Sequence, residues 1–431
     1  MKESENIGET LYSWAKDLFP ICRSITGPGV RDTLKYLKNI IPELQIHSVP
    51  SGTKAFDWVV PDEWVIRNAY IEDESGNRIV DIKENNLHVV GYSVAIDAWM
   101  SLSNLEKHLY SLEDQPTAIP YVTSYYNRNW GFCLAHEQRL SLRDEQYHVV
   151  IDAELKKGVM NYGEIVIKGE SSEEILLSTY ICHPSMANNE LSGPVVTTGI
   201  AQWISSLEAR RYTYRIIFIP ETIGSIVYIS QHEEHLKRHT SAGYVITCIG
   251  DDRAYSFLPS RKGNTLADRA AEYVLNNYID EYSRYTYLER GSDERQYCSP
   301  NINLPVCSVM RSKYGTYPEY HTSLDDLSLI SPDGLRGGFN VIKKIIKVLE
   351  FNHFYKGNIS CEPQMGKRGL YPDISVKNSS GYDEANVILN ILAYADGCHD
   401  LVQIAEIIEE DFFIVHDVAR RLVTHGILEK Q

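Results

Sequence analysis

The stretch Ile175-Leu176-Leu177-Ser178-Thr179-Tyr180-Ile181, followed at once by Cys182-His183-Pro184, decides how the chain is read. It is a near-continuous apolar run with no polar alternation. That is the pattern of a strand buried on both faces, as in parallel sheets covered by helices. The flanking sequence keeps the theme. Val195 to Leu207 has helix period through Val196, Ile200, Trp203, Ile204 and Leu207. Ile216–Ile219 is a second apolar run and ends at Pro220-Glu221. Tyr244–Ile249 is a third and leads to Gly250-Asp251-Asp252. Leu266–Tyr278 reads as helix and Leu304–Met310 as a further strand. Buried strands alternating with helices predict an α/β fold, with a mixed, largely parallel sheet flanked by helices.

Outward from this centre, Ile7, Leu11, Trp14, Ala15 and Leu18 recur at helix spacing. The segment from Cys22 to Gly29 breaks that helix, and a second follows through Leu34, Leu37 and Ile40–Ile41. Between 46 and 124 short strand-like runs alternate with turn signals: Trp58–Val60, Trp64–Ile66, Ala69–Ile71, Ile79–Ile82 and Leu87–Val90. They predict a small β-rich domain inserted into a discontinuous α/β domain of residues 1–45 and 125–355. Residues 356–379, with Pro363, Gly366, Gly369 and Pro372, read as a connector. In 380–431 three short helices fit, around Val387–Ala395, Leu401–Ile408 and Phe412–His425. Gly426-Ile427-Leu428 follows them, a winged-helix pattern.

Charge narrows the partners. The 431 residues carry a formal charge of −16, which argues against broad binding to a phosphate backbone. In 380–431 ten acidic residues face only Arg420, Arg421 and Lys430. That unit is therefore expected to pack on the main domain or on another subunit, in a homo-oligomer, and not on nucleic acid. No apolar run reaches the roughly 20 residues that span a bilayer. The N-terminus has no apolar signal core, and the eight cysteines follow no disulfide framework. A cytoplasmic protein with reduced thiols is expected.

In open α/β sheets, reactive groups collect beyond the carboxyl ends of the strands. Here those ends carry His183, Glu221, and Cys248 with Asp251. The cluster Glu319-Tyr320-His321-Thr322-Ser323-Leu324-Asp325-Asp326 follows the last strand. Two imidazoles to hold a cation and a carboxylate to take a proton from water are the parts of a metal hydrolase.

The ordered set Cys182-His183-Pro184-Ser185, Asn188-Asn189-Glu190-Leu191-Ser192-Gly193, Pro220-Glu221-Thr222-Ile223-Gly224, Gly291-Ser292-Asp293-Glu294 and Tyr320-His321-Thr322-Ser323-Leu324-Asp325 resembles the co-catalytic zinc aminopeptidases. Most of all it resembles a bacterial family of aminopeptidase-like proteins with a β-rich insert and a C-terminal winged helix, often found among surface-polysaccharide genes. Arg23-Ser24-Ile25-Thr26-Gly27 and Asp57-Trp58 with Pro61-Asp62-Glu63-Trp64 are similar to that family too. The resemblance implies a zinc exopeptidase-like fold, His183 and His321 as metal ligands, and Glu221 as general base.

The same resemblance exposes departures. The adjacent ligand glutamate falls at Thr222, the metal-bridging aspartate at Asn188, and the aspartate after the third strand near Cys248. A neutral amide bridges two dications poorly, and threonine is a weak zinc ligand, so one zinc is expected rather than two. Its ligands are expected to be His183, His321 and Glu190. Asn188, Asn189 and Asp325 are expected to stand behind the ligands and orient them, and Asp293, Glu294 and Arg311 to contact substrate; Arg295, like Arg311, reads either as a holder of a substrate carboxylate or phosphate or as half of an internal ion pair. Two functions follow. One is a zinc-dependent hydrolase cleaving an amide or peptide bond of a small substrate, linked to surface polysaccharide metabolism. The other is a catalytically degenerate relative that binds or regulates through its winged-helix tail.

Overall fold

A computed structural model of the chain describes residues 2–370 and 380–431. Two compact units result: Met1–Asp268 with Glu281–Ile342, and Arg269–Asp280 with Lys343–Gln431.

The first unit is built on an eight-stranded mixed sheet. In spatial order its strands are Gln45–Pro50, Val159–Ile167, Thr213–Ile219, Glu174–Tyr180, Thr240–Val245, Val306–Met310, Ser256–Leu258 and Ser283–Arg284. The four from Thr213–Ile219 to Val306–Met310 run parallel, and an antiparallel pairing bounds them on each side. Glu174–Tyr180 and Thr213–Ile219 are buried at every residue, which is why their sequences are apolar without alternation. Helices Ser192–Ser205 and Ile223–His239 make the crossovers between successive parallel strands. Parallel strands joined this way end on one sheet edge, so His183 and Glu221 emerge side by side.

The third apolar run differs from its reading. The strand stops at Val245, and Cys248 lies beyond it with φ 48°. Ile246 N–H makes the last bond to the neighbouring strand, to Ser178 O (2.8 Å); past the turn at Cys248, side chains take the backbone donors, Ile249 N–H going to Ser192 Oγ (2.8 Å) and Gly250 N–H to Asn188 Oδ1 (2.9 Å).

The β-rich segment forms a four-stranded antiparallel sheet in the order Arg78–Asp81, Glu63–Glu72, Gln146–Lys156, Ile96–Ser101. Its extent corrects the 46–124 assignment at both ends. Gln45–Pro50 belongs to the main sheet, whereas Gln146–Lys156, read as part of the α/β domain, belongs to this one. The predicted strands 64–66 and 69–71 are one strand, and Leu87–Val90 holds a short turn capped by Asn85. One hydrophobic core, including Trp64, Ile71 and Tyr147 together with Leu176, Ile217 and Val306, joins the two sheets. The second sheet is thus part of the same compact unit.

The second unit carries helices Ser380–Tyr394, Leu401–Ile408 and Phe412–Thr424, with Asp400 and Asp411 accepting hydrogen bonds at the starts of the last two. Its three-stranded sheet has the order Asp396–Asp400, Phe354–Gly357, Leu428–Lys430. Phe354–Gly357, placed by sequence at the edge of the connector, is therefore the central strand of this sheet. The part of the connector at 371–379, Pro372 included, lies outside the described residues.

Close packing at the start of the crossover helix depends on Gly193. A Cβ there would meet Ile246 O at 2.4 Å and Thr179 Oγ1 at 2.5 Å. Gly193→Ala is expected to destabilise the protein by about 1–3 kcal/mol, read from denaturant unfolding, because two backbone segments must separate.

Candidate active site

The sheet edge opens into a cavity of about 360 Å³, whose wall includes His183, Glu221, Thr222, Arg295 and His321. Three chain segments bring the reactive groups together. His183 follows strand Glu174–Tyr180, which Ile181 N–H ties to Ile219 O (2.9 Å). That register places Glu221 next to Cys182, and Glu221 N–H donates to Cys182 Sγ at 3.2 Å. His183 Nε2 then lies 3.6 Å from Glu221 Oε2, and Ser292 Oγ donates to Glu221 Oε1 at 2.9 Å. The rings of His183 and His321 are 5.5 Å apart between centroids. The two imidazoles, distant in sequence, do share one cavity.

The insert supplies the opposite wall. Trp58, Tyr121, Thr123, Tyr125 and Tyr126 line the cavity. Tyr121 lies between the histidines, 5.2 Å from His183 and 5.1 Å from His321 between ring centroids. Its N–H donates to His321 O (2.9 Å), and Ser323 N–H donates to Ile119 O (2.8 Å), so this segment holds the His321 loop. His321 stacks on Tyr320 (3.9 Å) at φ 58°. Among the described residues neither His321 ring nitrogen has a hydrogen-bond partner. Burial and the neighbouring His183 push its pKa down to about 3, which keeps it neutral.

Glu190 sits elsewhere than the ligand reading places it. Its Oε2 meets His183 Nδ1 at 2.9 Å, on the ring side away from Glu221. Behind it is Arg23, fully buried, with Nε 3.6 Å from Glu190 Oε1 and donating to His183 O at 2.9 Å. Cys182, His183 and Glu190 do bring donor atoms within 4.8 Å of one another. That pocket is already balanced by the Arg23 guanidinium, and burial pushes the Cys182 thiol up to about 11. A dication there would face a fixed cation and a protonated thiol. Burial works against the His183 imidazolium, but the neighbouring Cys182 and Glu190 favour it and its pKa is raised overall. Glu190 thus fixes a proton on Nδ1 and leaves Nε2 for the cavity, as carboxylates behind ligating imidazoles do.

Asp325, expected to orient His321, instead accepts the N–H groups of Ala187 (3.1 Å), Asn188 (2.6 Å) and Asn189 (2.9 Å). The wide turn Ala187–Leu191 that carries Glu190 is therefore held by a carboxylate from the His321 loop. Asn188 is not aimed at the cavity: its Nδ2 donates to Asp251 Oδ2 (2.9 Å) and its Oδ1 accepts from Gly250 N–H. Asn189 Oδ1 accepts from Tyr180 O–H at 3.1 Å. Cys248 is buried, and its thiol is raised well above the ordinary range by burial.

The three expected substrate contacts are also displaced. Glu294 is fully buried, and its Oε1 accepts from Gly291 N–H, Ser292 N–H and Tyr314 O–H, bracing the loop that presents Ser292 to Glu221. Asp293 is fully buried, accepting from Thr222 N–H and Ser225 O–H, each at 2.8 Å. Arg311 packs over the Tyr255 ring at 3.9 Å, off the cavity wall. Of the residues that do line it, Tyr121, Tyr125 and Tyr126 carried no spacing signal, since loops far apart in the chain bring them there, whereas Arg295 was one of the two arginines read from the sequence as an anion holder or an ion-pair partner. Trp58 and Arg23 lay inside stretches that resemble the family.

A sheet edge carrying two imidazoles and a carboxylate defines the class: an aminopeptidase fold. The zinc aminopeptidase BSAP of Bacillus subtilis has this fold, with 11% identity, a TM-score of 0.58, and coverage of 79% of this chain and 94% of that one. The family model described as "Domain of unknown function (DUF4910)" matches residues 12–352, and one described as "winged helix-turn-helix" matches 353–430. The chain belongs to the DUF4910 family. A Clostridium acetobutylicum protein named "Putative polysaccharide biosynthesis protein with aminopeptidase-like domain" is 44% identical over 406 residues, 94% of this chain and 92% of that one. A crystal structure of a "putative peptidase" from the same species superposes with a TM-score of 0.94 at 42% identity, covering 100% of this chain and 98% of that one.

Two measurements check this electrostatic layout. Glu190→Gln leaves the Arg23 guanidinium buried without its anion and is expected to cost about 3–5 kcal/mol in denaturant unfolding. Burial and the nearby Glu221 raise the Asp293 carboxyl to about 7. The folded state therefore holds a proton there that the unfolded chain, with Asp near 3.9, releases earlier. The Asp293 contribution is intact below about pH 4 and is lost as pH rises to about 7. Asp293→Asn removes that slope, so melting temperatures of variant and parent are expected to diverge in the variant's favour across this window.

Proposed function

We propose that the protein is a zinc-dependent hydrolase that cleaves an amide or peptide bond of a small substrate in the cavity lined by His183, Glu221 and His321. The carrying observation is their convergence from three segments, with Nε2 of His183 turned toward Glu221 and the nitrogens of His321 unpaired. This donor set fits one cation. It does not fit two, because the remaining candidate positions are neutral (Asn188, Asn189, Cys248) or already bonded to a cation, as Thr222 Oγ1 is to Arg295 (2.6 Å).

Zinc, when bound, supplies a Lewis acid that polarises the scissile carbonyl and lowers the pKa of water. His183 and His321 would hold it; catalytic zinc sites usually have three protein ligands, so two imidazoles predict a weaker, chelator-exchangeable site. Glu221 is the only carboxylate on the wall among the described residues. It takes the proton from water and delivers it to the leaving amine, with Ser292 fixing its other oxygen. Tyr121 packs against both imidazoles and keeps water from their flanks. The name of the Clostridium relative, a polysaccharide biosynthesis protein, supports a substrate from glycan metabolism, and an amide on an amino sugar is a small substrate of that kind. No helix among the described residues is long and apolar enough to cross a membrane, and a cytoplasmic location suits free thiols. The acidic winged-helix unit then serves a protein contact, including one in a homo-oligomer, and not nucleic acid.

A second reading, a degenerate binding protein, is favoured by Thr222 and Asn188 standing where anionic ligands are expected. Metal analysis of protein purified without chelator separates the two. About one zinc per chain is expected, lost in His183→Ala and His321→Ala. Glu221→Gln should keep the metal and lower turnover of aminoacyl amides and N-acyl sugars by about 10²–10⁴-fold. Absence of metal and of turnover leaves the degenerate reading, and turnover that survives Glu221→Gln rules out Glu221 as the base.

A further inference from the structure

Arg295 is a cation on the cavity wall with no anion of its own. Its Nη2 donates to Thr222 Oγ1 (2.6 Å), and its Nε, shielded from solvent, has no hydrogen-bond partner. Among the described residues no carboxylate pairs with it. Of the other shielded arginines of this unit, Arg215 pairs with Glu174 and Glu164 and Arg23 with Glu190, while Arg311, whose Nε also has no hydrogen-bond partner, packs over the Tyr255 ring and off the cavity wall. A guanidinium offers five donors in a planar fork, and one left incomplete in a partly desolvated place is stabilised by any anion that fits it.

The local backbone is built to hold this arrangement. Thr222 has φ 65°, a strained value for a β-branched residue, and persists because Asp293 accepts its N–H while Arg295 engages its hydroxyl. The acids that would grip a substrate ammonium point the opposite way. Asp293 and Glu294 are fully buried behind the wall, serving backbone and hydroxyl donors, and Glu221 is turned to His183. Trp58, Tyr121 and Tyr126 add flat aromatic surface.

We infer that Arg295 recognises an anionic group, carboxylate or phosphate, on the substrate, so that the cavity takes a small anionic amide and not a peptide held by its amino terminus. The inference rests on reading this cavity as the substrate site. It does not require that the bound molecule be turned over.

Isothermal titration of the full chain with two pairs of probes tests it. N-acetylglycine against N-acetylglycinamide reads the carboxylate, and N-acetylglucosamine 1-phosphate against N-acetylglucosamine reads the phosphate. In one pair at least, the anion should bind about 10–100-fold tighter than its neutral partner, the range for hydrogen bonds to a charged group. Arg295→Gln should bring the two to parity, and Arg295→Lys should restore part of the preference; circular dichroism verifies that both variants are folded. Equal binding within both pairs, no binding in either, or a preference that survives Arg295→Gln overturns the inference. Because titration reads binding alone, a chain that prefers anions through Arg295 yet holds no metal sinks only the hydrolase reading. A zinc hydrolase indifferent to Arg295 sinks only this one.

Discussion

The buried carboxylate of Asp325 is what joins the two halves of the candidate site. It lies four residues beyond His321, and it receives three consecutive backbone N–H groups from the turn that follows His183. Few side chains satisfy three donors at once, and an ionised carboxylate does so with charge-assisted bonds. Without it, the N–H groups of Asn188 and Asn189 would lack partners, and the bond from Ala187 N–H to Asp325 O (2.9 Å) would be left as the tie between this turn and the His321 loop. The separation of the imidazoles is therefore set by a bond that touches neither ring. Tyr121 reinforces it from the insert, through its backbone bond to His321 and its packing against both rings.

Around this frame the charges are arranged in two shells with distinct work. Behind the imidazole, Arg23 and Glu190 neutralise one another and fix the Nδ1 proton of His183. In front, Glu221 and His321 face the cavity with unsatisfied capacity. The result is one side of a ring closed by protein and the other left open. Two guanidinium groups supply permanent positive charge on either side of this arrangement, Arg23 behind Glu190 and Arg295 on the cavity wall. A fixed cation cannot exchange or polarise as a metal does, but it can orient an anion.

Much of this was legible before any coordinates. The runs at 175–181, 216–219 and 304–310 mark strands because a strand buried on both faces has no polar alternation, and each is found in the central sheet. His183, Glu221 and His321 were legible because parallel strands deliver their following residues to one edge. Cys248 and Asp251 were placed at a strand end that in fact lies at Val245; the apolar run continues past it because Ile246, Cys248 and Ile249 are buried outside the sheet, with side chains of Ser192 and Asn188 taking the N–H groups of Ile249 and Gly250. Glu190 was legible as functional but not in its role, because sequence spacing cannot say which imidazole nitrogen a carboxylate meets.

The amino-acid sequence by itself determined the α/β class, the winged-helix tail and the three residues that converge, since these follow from periodicity and chain direction. Tertiary structure alone decided which acids face the cavity. Asp293, Glu294 and Asp325 are consumed by buried backbone and hydroxyl donors, because a buried donor must be paired wherever the fold places it. It also decided that Trp58, Tyr121 and Arg295 form the wall. Their meeting depends on the second sheet sharing one hydrophobic core with the first, and no local pattern encodes a contact between such distant segments.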